Sequence, residues 1–169
     1  MRVYMVMSWN DPCVAEDTRT GGWPTELMAE YTQRFEPLVR VATMMLGSRG
    51  EAEEVVQEAF IATARNWSHV NDVRPYVRRA VVNGSNGVLR RRRTSERLHS
   101  DPPPDDAPDQ LVDLRDLLLT LPARQRQVLI LRFVEDLADD DIAGLLGCRR
   151  STVRSLAARG LALIRKELS

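Results

Sequence analysis

Arginines and hydroxyl side chains are concentrated in one short stretch near the carboxyl end of the sequence. The stretch contains Arg149, Arg150, Ser151, Thr152, Arg154, Ser155 and Arg159. Guanidinium groups bind phosphates and the edge of guanine, and hydroxyl groups hydrogen-bond to the DNA backbone or to bases. The chemistry that these residue types indicate is therefore non-covalent recognition of duplex DNA in the major groove.

The residues around this stretch predict a helix-turn-helix over residues 137–166. Ala143, Gly147 and Val153 have the spacing at which two crossed helices need a small contact residue, a turn glycine and a packing side chain. Val153 is expected to face back onto Ile142 and Leu146 of the first helix. That packing leaves the arginine-rich face of the second helix exposed.

A second set of residues suited to DNA falls on a helix predicted to begin near residue 73. The asparagine amides in this set can read base edges, but an asparagine near a glycine is as often a turn residue, and both roles stay open for Asn83 and Asn86. Gly84 and Gly87 lie inside the same helix, and each weakens it by about 1 kcal/mol relative to alanine, which predicts a bend or fraying. The full set is Arg78, Arg79, Asn83, Asn86, Arg90 and Arg91.

A third set of polar residues shares one face of a helix predicted over residues 48–67. Ser48 and Glu51 form a capping box that marks the start of this helix, and an apolar stripe ending at Trp67 marks its core face. A neighbouring face is either a docking surface for a protein partner or a solvated acidic face, and spacing alone favours the solvated face. The residues of that neighbouring face are Glu54, Gln57, Glu58 and Ile61.

Composition excludes several other kinds of protein. The 169 residues are 43% hydrophobic and 5% aromatic, which permits a core and favours helices over a β-sandwich. The formal net charge is zero, so binding to nucleic acid depends on where the charges cluster. Cys13 and Cys148 are isolated, so neither a disulfide framework nor a zinc site is indicated, and no cofactor is predicted. The apolar runs are too short for a signal sequence or a membrane span, which predicts a cytoplasmic protein without membrane insertion.

Changes in composition divide the chain into four parts. Residues 1–23 lack a helical or strand period and are expected to form a flexible extension. Residues 99–109, HSDPPPDDAPD, are rich in proline and acidic, which predicts an extended, solvated linker. The linker separates two predicted helical domains, at residues 24–98 and 110–169.

Prolines and leucines predict the remaining helices. Pro24 is expected to open a helix that ends at Phe35, and Pro37 to open or kink a second piece that reaches Leu46. Pro122 is expected to start a helix that runs to Phe133. The preceding segment, residues 110–121, has a leucine face made of Leu111, Leu114, Leu117 and Leu118.

Four stretches of this sequence resemble one family of bacterial transcription proteins. They are EAEEVVQEAF at 51–60, YVRRAVVN at 76–83, LPARQRQVLILRFVEDL at 121–137 and IAGLLGCRRSTVRS at 142–155. In this order, across an acidic linker, they are typical of the extracytoplasmic-function group of RNA polymerase sigma factors, which contain only regions 2 and 4. Trp67 and the YVRR string are closer to a mainly actinobacterial subgroup. The resemblance implies an all-α fold with a region 2 helical bundle and a region 4 helix-turn-helix, joined by a flexible acidic, proline-rich linker.

The resemblance also implies roles that the residues alone leave open. The face with Glu54 and Gln57 would dock on the clamp helices of the largest polymerase subunit, and region 4 would bind the flap. Asn83 and the arginines near it would meet the -10 promoter element, with a pocket for an unpaired base at residues 68–71. The arginine-rich stretch at 149–159 would read the -35 element as duplex DNA. Whether an anti-sigma factor silences the protein is left open.

Three positions depart from the family pattern. Ala138 stands where a serine or threonine usually caps the helix, so either Asp139 takes over or the helix start loses about 1 kcal/mol. Gly84 stands where the family has a larger apolar residue, so the helix that reads the -10 element is expected to be less rigid. The pair Arg149 and Arg150 is more basic than usual, which indicates stronger phosphate contact or a site containing guanine.

Two other kinds of protein compete with this interpretation. A conventional helix-turn-helix regulator would explain residues 121–166, but it gives no reason for the capped helix and the basic helix in the first half. An enzyme that uses paired carboxylates would need convergent groups such as a positioned histidine. His69 and His99 both fall in predicted loops or linkers, so catalysis is the weaker alternative.

Overall fold

The computed structural model describes residues 23–96 and 112–168. Within these ranges every regular element is helical, as the sequence predicts. The elements are α1 (Thr25–Leu46), α2 (Arg49–Arg65), a short 3-10 helix (Trp67–His69), α3 (Val73–Glu96), α4 (Val112–Leu119), α5 (Ala123–Phe133), α6 (Asp139–Leu146) and α7 (Arg150–Glu167). Helices α1 to α3 form one bundle and α4 to α7 form a second. The two units touch where α1 meets α4 and α5 and where α3 meets α6.

Helix α1 is continuous, so the prediction of two pieces divided near Pro37 is wrong. Pro37 lies inside the helix and removes one hydrogen bond to the carbonyl of Gln33. Gln33 is on the exposed side of α1, where water can satisfy that carbonyl, and buried residues on either side hold the helix against the core. Pro24 is the N-cap rather than the first helical residue.

Helix α2 begins at the predicted cap. The backbone N–H of Glu51 donates to the hydroxyl of Ser48 at 3.4 Å, which satisfies one of the unpaired groups at the helix start. The Glu51 carboxylate pairs with Arg92 of α3, so this acidic side chain links two helices. The predicted apolar stripe is buried from Ala52 to Thr63, whereas Trp67 is half-buried in the 3-10 helix that follows.

Aromatic side chains pack against one another in the first bundle, near the start of α1. Trp23 stacks on Phe60 with ring centroids 6.1 Å apart, and Tyr31 meets the edge of the same ring at 5.1 Å. Trp23 was expected to be the last residue of a flexible extension. Because it packs on Phe60, the folded part of the chain includes residue 23. Residues 1–22 of that extension lie outside the described residues, as does the whole predicted linker at 99–109.

Helix α3 runs unbroken through both of its glycines, so the predicted fraying does not occur. A Cβ atom added at Gly84 would lie 2.9 Å from Cγ1 of Val55 on α2. Val55 is buried, and a β-branched side chain in a helix has one strongly preferred rotamer. Gly84 therefore allows a close approach of α2 and α3, and the packing offsets its low helix propensity.

We expect Gly84→Ala to lower the free energy of unfolding by about 1 kcal/mol, because overpacking costs about 1–3 kcal/mol while helix propensity returns about 1 kcal/mol. Gly87→Ala is the matched control, since its Cβ would meet only the end of the Arg91 side chain at 3.6 Å. That change should raise the free energy of unfolding by about 1 kcal/mol. Urea denaturation measures both, and a Gly84→Ala variant as stable as Gly87→Ala would contradict the close-approach explanation.

The second unit contains the predicted helix-turn-helix in α6 and α7. Gly147 ends α6 in the left-handed region at φ 61 and donates its N–H to the carbonyl of Ala143. Ala143 and Val153 are buried between the helices. Ala138 precedes α6 without a side-chain cap hydrogen bond from any described residue, and Asp139 does not take over the cap because it binds arginines instead.

Helix α4 departs from its predicted leucine face. Leu118 is buried as expected, but the side chain of Leu114 is 48% exposed, while Arg115 is buried. A contact with the first bundle explains the difference. Arg115 donates to the carbonyl of Gly47 at the end of α1, so the face of α4 that carries Arg115 lies against the first bundle. Leu111 lies outside the described residues.

None of the described helices is long and apolar enough to cross a membrane. The described residues also contain no cluster of histidine, cysteine or carboxylate side chains arranged to hold a metal ion.

Candidate nucleic-acid interface

The arginine-rich face of α7 is open to solvent, and we call it the α7 surface. Arg149 is the N-cap of α7, and the positions after it turn away from the contact with α6. Ser155 is half-buried at the edge of this surface. The exposed members are Arg149, Arg150, Ser151, Thr152, Arg154 and Arg159.

Two aspartates at the start of α6 hold arginines of the α7 surface. Asp139 accepts a hydrogen bond from Nε of Arg154 at 3.2 Å and another from Arg132. Asp140 pairs with Arg150 at 3.3 Å. The Arg154 bond uses Nε, so its two terminal nitrogens take no part in that bond, and the side chain is 62% exposed. The aspartates therefore hold both arginines at the surface of α7.

Hydrogen bonds from Arg132 and then Arg154 hold the pKa of Asp139 below its ordinary value of 3.8. A carboxylate with a lowered pKa contributes stability above its unfolded pKa, and this stability is lost as the pH falls through the folded pKa. We therefore expect Asp139→Asn to lower the thermal midpoint at neutral pH. The difference from wild type should shrink as the pH drops below 3.8. Thermal melts between neutral pH and pH 3 measure this, and a constant difference at every pH would contradict it.

The predicted -10 residues lie on α3, and we call this set the α3 surface. Four of them are exposed: Arg79, Asn83, Arg90 and Arg91. Arg78 and Asn86 are partly covered, and both hydrogen-bond to residues of the second unit. The sequence places all six on one helix, but only the tertiary structure separates the exposed residues from those that are engaged.

Arg78 is held by a glutamate from the turn after α5. Nε of Arg78 donates to the Glu135 carboxylate at 2.9 Å, and Arg34 of α1 donates to the same oxygen at 3.3 Å. The Glu135 side chain is only 7% exposed. A carboxylate buried to this extent needs charged partners, and it finds both of them on the first bundle.

Asn86 is held by a glutamine of α5. The Gln127 amide donates to the side-chain oxygen of Asn86 at 2.7 Å, and Gln127 is almost completely buried. The bond joins residues 41 positions apart. In this arrangement the Asn86 amide oxygen faces the second unit.

The loop at residues 68–71 is shaped by the 3-10 helix. Ser68 and His69 are exposed, and their side chains are 3.1 Å apart. The N–H of Val70 donates to the carbonyl of Trp67, and Asp72 then caps α3 by accepting from the N–H of Arg74 at 3.2 Å. The loop is thus an ordered turn that presents polar side chains next to α3, where the resemblance implies a base pocket.

The predicted polymerase-binding residues form a surface on α2, which we call the α2 surface. Glu54, Gln57 and Glu58 are exposed and Ile61 is half-buried beside them. Glu58 makes a loose ion pair with Arg65, at 3.8 Å. The structure therefore brings these four residues together on one accessible face.

Sequence reasoning missed a group of arginines where the two units meet. Arg92, Arg115 and Arg126 line a cavity of about 390 Å³. Arg92 donates to the carbonyl of Leu46. Burial, and then the charge of Arg92, lower the pKa of Arg126. The sequence offers one weak signal of a contact between the units, Gln127, a polar residue directly before the apolar run at residues 128–131.

The fold and these surfaces define a two-unit DNA-binding protein, with a helix-turn-helix in one unit and a basic helix in the other. Comparison with known proteins gives the same division, since residues 31–95 match the family "Sigma-70 region 2" and residues 111–164 match "Sigma-70, region 4". The RNA polymerase sigma-E factor of Streptomyces coelicolor is 32% identical over 149 residues, which cover 82% of this chain and 84% of that protein. The chain belongs to the extracytoplasmic-function group of sigma-70 factors, and its similarity to the Streptomyces sigma-E factor agrees with the predicted actinobacterial subgroup.

Solved structures show the same fold. The sigma factor RpoE of Bartonella quintana, in complex with the anti-sigma factor NepR, superposes with a TM-score of 0.69 at 20% identity and covers 86% of this chain and 98% of that one. CnrH in complex with the cytosolic domain of CnrY gives a TM-score of 0.65 at 19% identity, covering 84% of this chain and 86% of that one. The two-domain, all-α prediction is confirmed.

Proposed function

We propose that this sigma factor divides promoter recognition among its three surfaces. The α2 surface binds the clamp of core RNA polymerase, the α3 surface binds the -10 element and the α7 surface reads the -35 element as duplex. The observation that carries the proposal is the α7 surface itself, where Asp139 and Asp140 hold Arg154 and Arg150 beside a helix-turn-helix. Such a helix fits the major groove, and its arginines can bind phosphates and guanine.

The mechanism that follows is recruitment and strand opening. Duplex binding at the -35 element supplies affinity and sets the position, and contacts of the α3 surface with one strand favour the opened state. Extracting a base costs a few kcal/mol of unstacking, which stacking and backbone contacts with the single strand must offset. The exposed arginines of α3 and the polar turn at residues 68–71 are the groups we assign to those contacts.

In this proposal the chain carries out no covalent chemistry, since the polymerase forms the phosphodiester bonds. It acts in the cytoplasm, where polymerase and promoter DNA are found. Because a solved protein of the same fold is bound to an anti-sigma factor, we include a protein inhibitor of this kind among the partners of this chain.

The test is reconstituted transcription with purified core polymerase and a library of genomic promoter fragments, followed by mapping of transcript starts. We expect new, defined start sites when this chain is the only specificity factor present. A conventional regulator would change initiation only when another specificity factor is added. Start sites identical to those of core polymerase alone would overturn the proposal.

A further inference from the structure

The cavity lined by Arg92, Arg115 and Arg126 takes no part in the proposed function. Its volume of about 390 Å³ lies in the range of pockets that hold small molecules. The other lining residues are Leu46, Gly47, Asp116 and Leu119. Asp116 is the one carboxylate among these described residues, so three guanidinium groups share one space with a single acidic side chain.

Two of the three arginines are anchored to the end of α1. Arg92 donates to the carbonyl of Leu46 at 2.6 Å and pairs with Glu51, and Arg115 donates to the carbonyl of Gly47. The last carbonyl groups of a helix have no partner within the helix and carry partial negative charge. These contacts fix two guanidinium groups at the wall of the cavity. A guanidinium has five N–H donors, and the two contacts of Arg92 use only two of them.

Arg126 differs from the other two because it is a buried cation without an acidic partner among the described residues. The residue is 6% exposed. It donates to the carbonyl of Leu119 at 3.3 Å, and its Nε is buried without a hydrogen-bond partner. Burial, and then the charge of Arg92, lower its pKa. A buried charge is costly unless an opposite charge neutralises it, so this cavity lacks negative charge where Arg126 lies.

We propose that the cavity is a binding site for a small oligophosphate, which neutralises Arg126 and also contacts Arg92. Guanidinium groups bind phosphate oxygens through parallel hydrogen bonds and stay charged at physiological pH. An anion with several oxygens and more than one charge can meet two arginines at once, which chloride cannot do.

Burial of the arginines favours a free anion over the backbone of a nucleic acid. Arg115 and Arg126 are each 6% exposed. Each phosphate of a nucleic acid is joined to two sugars, which would have to enter the cavity with it, whereas pyrophosphate enters alone. The proposed ligand class is therefore a free oligophosphate.

Arg126→Met is the test variant, because it keeps the length of the side chain and removes the charge. Replacing a buried charge by an apolar group of similar volume is often neutral or stabilising, so the variant should fold, which circular dichroism checks. Arg124→Met is the matched control: it is the same substitution two positions earlier on α5, where the side chain is exposed. Both variants change the net charge equally.

Isothermal titration calorimetry of the full chain with sodium pyrophosphate, in a buffer free of metal ions, measures binding. We expect one site per chain in wild type and in Arg124→Met. Hydrogen bonds to charged groups make large contributions to affinity, so Arg126→Met should bind on the order of tenfold more weakly or worse. Pyrophosphate should also raise the thermal midpoint of wild type and of the control, and sodium chloride at the same ionic strength should not.

Equal pyrophosphate affinity in wild type and Arg126→Met would overturn the proposal, as would a wild-type Kd weaker than about 1 mM. An equal loss in Arg124→Met, or an equal rise of the midpoint with chloride, would overturn it too, since the effect would then be one of net charge or ionic strength. Displacement of pyrophosphate by a dT20 single strand would assign the cavity to a nucleic-acid backbone instead. These readouts use the chain alone, so they are independent of reconstituted transcription.

Discussion

Replacing Arg150 and Arg154 together by alanine is expected to weaken binding of the holoenzyme to its promoter by tenfold or more. A bidentate arginine contact to a base is worth about 1–3 kcal/mol, and a tenfold change corresponds to about 1.4 kcal/mol. Both side chains are exposed on α7 and already oriented by aspartates, so little ordering is needed when DNA binds. Electrophoretic mobility shift with a promoter found by start-site mapping measures the loss.

Salt dependence separates base reading from phosphate binding in the same variant. Each phosphate contact that is lost should make the plot of log affinity against log salt shallower by about 0.9. Lys166→Ala is the control, since Lys166 is exposed near the far end of α7 and about 18 Å along the axis from Arg154. If the double variant and this control had equal affinity and an equal slope, the assignment of the α7 surface to promoter binding would be contradicted.

Replacing Gln57 and Glu58 together by alanine is expected to weaken assembly with core polymerase by about tenfold, or about 1.4 kcal/mol. Both side chains are exposed on the α2 surface, next to the half-buried Ile61, and residues at the centre of an interface carry most of its binding energy. Alanine has the highest helix propensity, so the fold should be retained. Fluorescence titration of labelled chain with core polymerase measures the affinity.

The control for this variant is a pair of the same residue types on another helix. Gln33 and Glu36 are exposed on α1, three positions apart, and their replacement by alanine removes the same charge. We expect this control to assemble with core polymerase as wild type does. An unchanged affinity in the Gln57 and Glu58 variant would show that the α2 surface is a solvated face, which was the reading favoured by spacing alone.

The structure also gives a physical reason for the unequal exposure of the α3 and α7 surfaces. Arg154 and Arg150 of α7 pair with Asp139 and Asp140 from the neighbouring helix of the same unit. Arg78 on α3 pairs with Glu135, 57 positions along the chain. One surface is therefore complete within its unit, while the other depends on how the units are placed.

Local sequence determined most of the helices of this protein and the residues of its α3 and α7 surfaces. The capping pair Ser48 and Glu51, the apolar stripe of α2 and the turn glycine Gly147 each act within a few residues, so spacing alone predicts them. The membership of the sigma family could also be anticipated, because four short stretches in order resemble it and the comparisons confirm the family.

Only the tertiary structure decided which side chains of those helices remain available. The continuity of α1 through Pro37, the close approach at Gly84 and the inward turn of Arg92 each depend on a neighbouring helix. The engagement of Arg78 and Asn86 depends on residues 57 and 41 positions away. Contacts at such separations leave no periodic pattern in the sequence, so they become visible only when the chain is folded.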